Sequence, residues 1–207
     1  MERTRPQHKE GADFEKGYFD LGHQQKELEA TIAKEIGRPA DRKLVLKALG
    51  FAAAKHEGQF RDDKTPYVIH PIRVCRMLLS EMGVRSADML AASLLHDTME
   101  DCGVKEEELA GAFGTGVSTI VKSLSMNFYA SKEAYLEHLR DAPKDSKLLK
   151  VADRIDNLRN TYLGKNWTKE RTAAYVRQTE RYVLPLARPA DIAELRRIID
   201  LIKGSDA

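Results

Sequence analysis

The sequence predicts an all-α protein, a bundle of about eight to ten helices. Two observations carry that expectation. Apolar residues recur at helical spacing along most of the chain, whereas strand-like patterning is confined to Tyr67-Val68-Ile69. Helix start and stop signals also divide the chain into segments of ordinary helical length.

The elements follow in order. Residues 1–20 are polar, contain Pro6, Gly11 and Gly17, and carry no clean stripe. Leu28, Ile32 and Ile36 then recur every fourth residue until Gly37-Arg38-Pro39 stops the helix. Residues 1–40 therefore read as an N-terminal extension with one helix, and 41–207 as the main domain. A second helix runs from about Asp41 to Lys55 with Leu44, Ala48, Phe51 and Ala52 inward, and a polar loop spans His56 to Lys64. Pro71 suits a first helical turn; Ile72, Cys75, Leu78, Leu79 and Met82 form that helix's stripe, and Gly83 ends it. Ser86 is the expected N-cap of a helix through Asp101. That helix is apolar nearly all round from Met89 to Leu95, which makes it the buried centre. Shorter helices are expected over Glu106–Phe113, Val117–Leu124 and Lys132–Arg140. A long one from Lys144 to Leu163 turns Leu148, Ala152, Ile155, Leu158 and Tyr162 inward. Two more run from Thr168 to Leu184 and from Pro189 to Lys203.

Composition narrows the function classes. The 207 residues are 42% hydrophobic and 32% charged, the profile of a globular chain with its own core. Lys and Arg number 34 against 32 Asp and Glu, a net charge of +2, so the chain is no polybasic nucleic-acid binder. No apolar run approaches the roughly 20 residues of a membrane helix. The N-terminus lacks the apolar core of a signal peptide, so a cytoplasmic location is expected. Cys75 and Cys102 are too few and too far apart for a disulfide framework or a Cys-type zinc site. Cys75 falls on an apolar stripe and reads as a core residue; Cys102 follows a carboxylate cluster and is given no catalytic role.

Chemistry concentrates in His96-Asp97-Thr98-Met99-Glu100-Asp101. On a helix, residues three and four apart share a face, so this segment crowds an imidazole and three carboxylates at one end of a buried helix. Like charges so close repel, and a cation is the natural remedy. A satisfied histidine beside a solvated acidic helix end would explain the His-Asp pair equally well. Asp153 borders the inward face of the long helix, with Asn157 one turn on, while Asp156 fits a hydrated helix flank. His70 precedes Pro71, which should hold it extended; a capping or core histidine is the alternative. Together His70, His96, Asp97 and Asp153 make a mixed nitrogen and oxygen set suited to Mn, Fe, Zn or Co. The remaining histidines, His8, His23, His56 and His138, lie on polar segments and are expected to be exposed.

The ordered set Tyr-x-x-His-Pro (67–71), His-Asp-Thr-Met-Glu-Asp (96–101) and Ala-Asp-Arg-x-x-Asn-Leu-Arg (152–159) resembles the HD-domain phosphohydrolases, and within them the alarmone hydrolases, free-standing or joined to a synthetase. His-Glu-Gly-Gln-Phe-Arg (56–61), Phe113-Gly114 and Trp167-Thr-Lys-Glu-Arg171 add to the resemblance, which runs from about Lys43 to Leu186. It implies that the main domain is an HD-type helical hydrolase bundle, with no room for the synthetase domain. It implies one Mn²⁺, or another divalent transition metal, held by His70, His96, Asp97 and Asp153, with Glu100 and Asp101 orienting or deprotonating the attacking water. It implies a nucleotide substrate met by Arg61, Tyr67, Lys132, Asn157 and Arg171. The implied reaction removes the 3′-diphosphate of ppGpp or pppGpp.

One position departs from the pattern. Asp62 stands where such hydrolases commonly carry Lys, next to Arg61. An anion facing a polyanionic substrate is expected to point to solvent, or to pair with Arg61 or Lys64, unless the substrate has no phosphate there. Asp62 keeps one alternative beside the alarmone reading, a hydrolase of another nucleotide, such as the 2′-phosphate of NADPH; a nucleotide- or protein-binding module that keeps the fold without turnover is a separate alternative. The extension helix could cover the core or a second copy in a homodimer.

Overall fold

The computed structural model describes residues 17–164 and 167–205, and these fold as an all-α bundle. In order come α1 (Leu21–Glu35), α2 (Pro39–Lys55), α3 (Ile69–Ser80), α4 (Ala87–Leu95), the one-turn α5 (Thr98–Asp101), α6 (Glu106–Phe113), α7 (Thr115–Leu124), α8 (Lys132–His138), α9 (Lys144–Gly164), α10 (Lys169–Gln178) and α11 (Pro189–Ser205). Among the described residues, β-type pairing is limited to an isolated antiparallel bridge between Phe60 and Pro66. None of the helices among the described residues is long and apolar enough to cross a membrane.

Helix α4 is the hub, as its all-round apolarity predicts. Met89 to Leu95 are all buried, and α2, α3 and α7 pack around them. Fully burying a Leu contributes roughly 1.5–3 kcal/mol, so Leu90, Leu94 and Leu95 anchor the bundle. Helix α9 packs against α3, and α11 packs against α9. Helix α1 packs on α3, and Leu28, Ile32 and Ile36 join the same apolar core. Its start is set locally: the Asp20 side chain accepts from the His23 N–H at 2.9 Å, an N-cap bond.

Several expectations are corrected. The helix expected from Ser86 through Asp101 does start with Ser86 accepting from the Met89 N–H, but it breaks at His96-Asp97. Side chains capture the last carbonyls of α4: His96 Nδ1 is 2.8 Å from Ser93 O, and Thr98 Oγ1 donates to Leu95 O at 2.7 Å. Tyr67-Val68-Ile69 is no strand; Val68 has φ −56° and ψ −19°, and Ile69 opens α3. His70 is accordingly in the first turn of a helix, despite the Pro that follows it. The inward face of α2 is Val45, Ala48, Leu49 and Ala52, with Leu44 and Phe51 only flanking it. The segment expected to be one helix from Thr168 to Leu184 becomes a π-helical turn at Thr179–Val183 and a 3₁₀ turn at Leu184–Leu186, where Pro185 supplies no N–H to a helical ladder.

Candidate metal centre

Three helices converge on one point. His70 comes from the start of α3, His96 from the end of α4 and Asp153 from the middle of α9. One ligand atom from each lies within 4.8 Å of the others, and all three residues are buried. His70 Nε2 is 3.2 Å from Asp153 Oδ1. Asp97, the residue at the break before α5, places Oδ2 at 3.2 Å from His96 Nε2 and 3.7 Å from His70 Nε2. The four residues expected as metal ligands are thus brought together, and the helix break is what turns Asp97 toward the imidazoles.

The hydrogen bonds at the far side of each ring decide what the near side offers. His96 gives its Nδ1–H to the Ser93 carbonyl, which leaves Nε2 as a buried lone pair with no hydrogen-bond partner. His70 Nδ1 is 2.7 Å from Asp156 Oδ2. Burial opposes ionisation of Asp156, but Arg73 and His70 hold its carboxyl far below the ordinary range. An ionised carboxylate can only accept, so His70 carries a proton on Nδ1, and its Nε2 turns inward to Asp153 Oδ1. Two inward imidazole nitrogens and two carboxylates are a donor set that a divalent cation fits. Burial would raise the Asp153 pKa, yet Lys150 and the two histidines hold it well below the usual value. Lys150 Nζ lies 2.8 Å from Asp153 Oδ2.

A cavity of about 240 Å³ opens beside this cluster, and its walls include Tyr67, Glu100, Lys132, Tyr135, Lys150, Arg154, Asn157 and Tyr175. Glu100 accepts from the Met126 N–H at 2.8 Å. Burial, then the charges of Asp97 and Asp101, push its carboxyl above the ordinary value against that bond. Asp101 is exposed; burial of part of its carboxyl and the charge of Asp97 raise it too. The Tyr67 hydroxyl donates to Asp97 Oδ2 at 2.9 Å. Arg61 donates to Asn157 Oδ1 at 2.9 Å, and Asn157 passes the chain on to Asp153 Oδ1 at 2.6 Å. Lys132 reaches the cavity, where burial and then the charges of Arg154 and Lys150 lower its pKa.

Arg171 stands apart. Its Nη1 lies 2.9 Å from Asp62 Oδ2, its guanidinium stacks 3.9 Å from the Trp167 ring, and Trp167 Nε1 donates to the same Asp62 oxygen at 2.8 Å. Asp62 therefore pairs with neither Arg61 nor Lys64. The partner is Arg171, brought over by the start of α10.

Other readings of the sequence need correction. Asp156 is no hydrated flank: it is fully buried and bonded to His70, Arg73 and Tyr18. His56 is buried too, stacked 4.7 Å from Tyr67 with Nδ1 at 2.8 Å from Gln59 Oε1 and 3.3 Å from Cys102 Sγ. His138 is half-buried against Tyr129, His23 is exposed, and His8 lies outside the described residues. Lys150 and Arg154 went unnoticed as cavity residues. Their spacing one turn apart on a helix that carries Asp153 was the available signal.

Comparison with known proteins bears on the same residues. The HD-domain family model matches residues 48–193. The guanosine-3′,5′-bis(diphosphate) 3′-pyrophosphohydrolase MESH1 of Xenopus tropicalis is 35% identical over 163 residues, covering 75% of this chain and 91% of that protein. The human MESH1 is 35% identical over 139 residues, 63% of this chain and 78% of that protein. A guanosine-3′,5′-bis(diphosphate) 3′-pyrophosphohydrolase of Vibrio cholerae is 36% identical over 151 residues, but these make up only 21% of its length. A solved metazoan orthologue of SpoT, described as hydrolysing ppGpp, superposes with a TM-score of 0.69 at 30% identity, over 76% of this chain and 94% of that one.

Proposed function

The chain belongs to the HD-domain family, among homologues of the MESH1 and SpoT type, and from that premise we propose that it is a Mn²⁺-dependent hydrolase releasing pyrophosphate from the 3′ position of ppGpp or pppGpp. The observation that carries the reading is the pair of buried imidazole Nε2 atoms, that of His96 without a hydrogen-bond partner, facing Asp97 and Asp153 at the mouth of a cation-lined cavity. When bound, the metal would lower the pKa of water from about 15.7 toward 7 and draw charge from the attacked phosphoryl group.

The chain's own groups then divide the work. Glu100 lines the cavity and its raised pKa brings it nearer to neutrality, where a carboxylate is a better proton acceptor. Asp101, one residue beyond Glu100, is the second carboxylate that would orient the attacking water. Lys132, Lys150 and Arg154 give the cavity a positive wall for a transferred diphosphate. Asn157, held by Arg61, presents a polar edge to the nucleoside, and Tyr67 offers a ring on which a base can stack. Arg171 at the rim meets an outer phosphate once Asp62 lets it go.

The Asp62–Arg171 pair also supports a second reading, in which the substrate is another phosphorylated nucleotide that leaves this pair intact. A panel of ppGpp, pppGpp and NADPH, with Mn²⁺ and with excess chelator, separates the two. Pyrophosphate with GDP or GTP is the expected product. Orthophosphate from NADPH alone would replace the alarmone reading, and turnover in chelator would remove the metal.

A further inference from the structure

Behind His70, away from the cavity, lies a closed polar network that the hydrolytic reading does not use. Asp156 is its centre. Arg73 donates to it twice, from Nε to Oδ1 at 2.8 Å and from Nη2 to Oδ2 at 3.0 Å. Tyr18 donates its hydroxyl to Oδ1 at 2.9 Å. The remaining contact of Oδ2 is His70 Nδ1 at 2.7 Å. Arg73 is itself fixed by Asn160 Oδ1 at 3.0 Å, by the Tyr18 carbonyl at 3.1 Å and by the Tyr18 ring beneath it at 3.9 Å. Every member is buried: Asp156 is 0% exposed, His70 1%, Arg73 3% and Tyr18 4%.

The chemistry of this arrangement is specific. Arg73 cancels the charge of Asp156, so the carboxylate orients the imidazole without drawing off its proton. The carboxylate is bonded from both sides and has little freedom to rotate. His70 is thereby held with Nδ1–H outward and Nε2 inward, the atom a metal would take. Tyr18 lies outside the 48–193 span of the family match, on the segment that leads into α1. That segment is fixed in turn, by Gln24 Nε2 donating to the Gly17 carbonyl at 2.8 Å and by the Asp20 cap.

We propose that Tyr18, Arg73 and Asp156 are positioning residues for the metal ligand His70, so that the N-terminal segment is a working part of the metal site. The inference rests on the reading of His70 as a ligand. Its consequence is that loosening the residues around Tyr18 should weaken the metal from a place no substrate touches.

The test compares Mn²⁺ dissociation constants, measured by electron paramagnetic resonance of the full-length protein, with the Tm of the metal-free state. Imidazole ¹⁵N shifts of His70 in the metal-free protein report the tautomer. Asp156→Asn should weaken Mn²⁺ about 10–100-fold and mix the His70 tautomers, because Asn can turn either an acceptor or a donor toward Nδ1. Tyr18→Phe keeps the ring under Arg73 and loses only the hydroxyl; a loss of several-fold is expected. Since Asp156→Asn alone strands the Arg73 cation, Arg73→Gln with Asp156→Asn is the control that removes both charges. If that double variant and Tyr18→Phe bind Mn²⁺ like the parent and keep a single His70 tautomer, the network is structural only and the proposal is overturned. A parent protein that takes up no Mn²⁺ would instead overturn the metal reading beneath it.

Discussion

The buried back of the site and its exposed rim are built from the same kinds of side chain to opposite effect. At the back, the His70, Arg73, Asp153 and Asp156 side chains are each 8% exposed or less. At the rim, Arg171 and Asp62 pair at almost the same distance, 2.9 Å, with side chains 54% and 52% exposed. An ion pair so exposed is worth about 0–1 kcal/mol, whereas breaking a buried one costs roughly 3–5 kcal/mol. The back therefore holds its geometry whatever enters the cavity. The rim can open for a phosphate at little cost. On the proposed function, reaction type belongs to the buried half and choice of nucleotide to the half that water reaches.

The largest effect should follow from breaking the back. Asp153→Ala removes a proposed metal ligand and strands Lys150, 2.8 Å away. Bound Mn²⁺ and turnover should vanish together, with a fall in Tm. Metal analysis of the purified variant checks this, and a variant that hydrolyses substrate while metal-free would show that the two halves are wrongly assigned. Glu100→Gln comes next. It should keep its metal and lose about 10²–10⁴ in turnover, the usual range for one general base. Its pH–rate profile should also lose the acidic limb that protonation of Glu100 gives the parent. Should Glu100→Gln turn over normally while Asp101→Asn does not, the base is Asp101.

The raised pKa of Glu100 also has a stability consequence. A carboxyl that holds its proton more tightly when folded penalises folding once ionised. The penalty is absent below the unfolded pKa and complete above the folded one. Metal-free Glu100→Gln should thus melt no lower than the parent at pH 8, and up to about 2–4 °C higher, the shift expected per kcal/mol for a chain of this size. At pH 4 the two should coincide. A calorimetric drop at pH 8 would mean that the Met126 N–H bond to Glu100 outweighs the cost of its charge.

The smallest effect belongs to the rim. Asp62→Lys frees Arg171 and adds a cation, so KM for a 3′,5′-bis-diphosphate should fall about fivefold, equivalent to ~1 kcal/mol, with kcat little changed. If the true substrate depends on the Asp62–Arg171 pair, kcat/KM for that substrate should fall instead. No change with any nucleotide would reduce Asp62 to a loop residue.

What the sequence made legible follows the same division. The apolar stripes announced the bundle, and Met89 to Leu95 marked the hub, because burial leaves a periodic trace. The motifs pointed to residues that do converge, His70, His96, Asp97 and Asp153. Asp156 was misread because a buried acid needs a cation, and Arg73 lies 83 positions away in sequence. His56 was misread for a similar reason: a histidine in a charged loop looks solvated until Tyr67 and Cys102 close over it. The break at His96-Asp97 was hidden because side-chain bonds to backbone carbonyls, with no Gly or Pro, end that helix.

The central claim is that metal binding belongs to the buried half alone. Mn²⁺ titration by electron paramagnetic resonance of the parent, Asp153→Ala and Arg171→Ala tests it most directly. One Mn²⁺ per chain is expected in the parent and in Arg171→Ala with the same affinity, and none in Asp153→Ala. Equal binding by the parent and Asp153→Ala, or loss of the metal in Arg171→Ala, would contradict it.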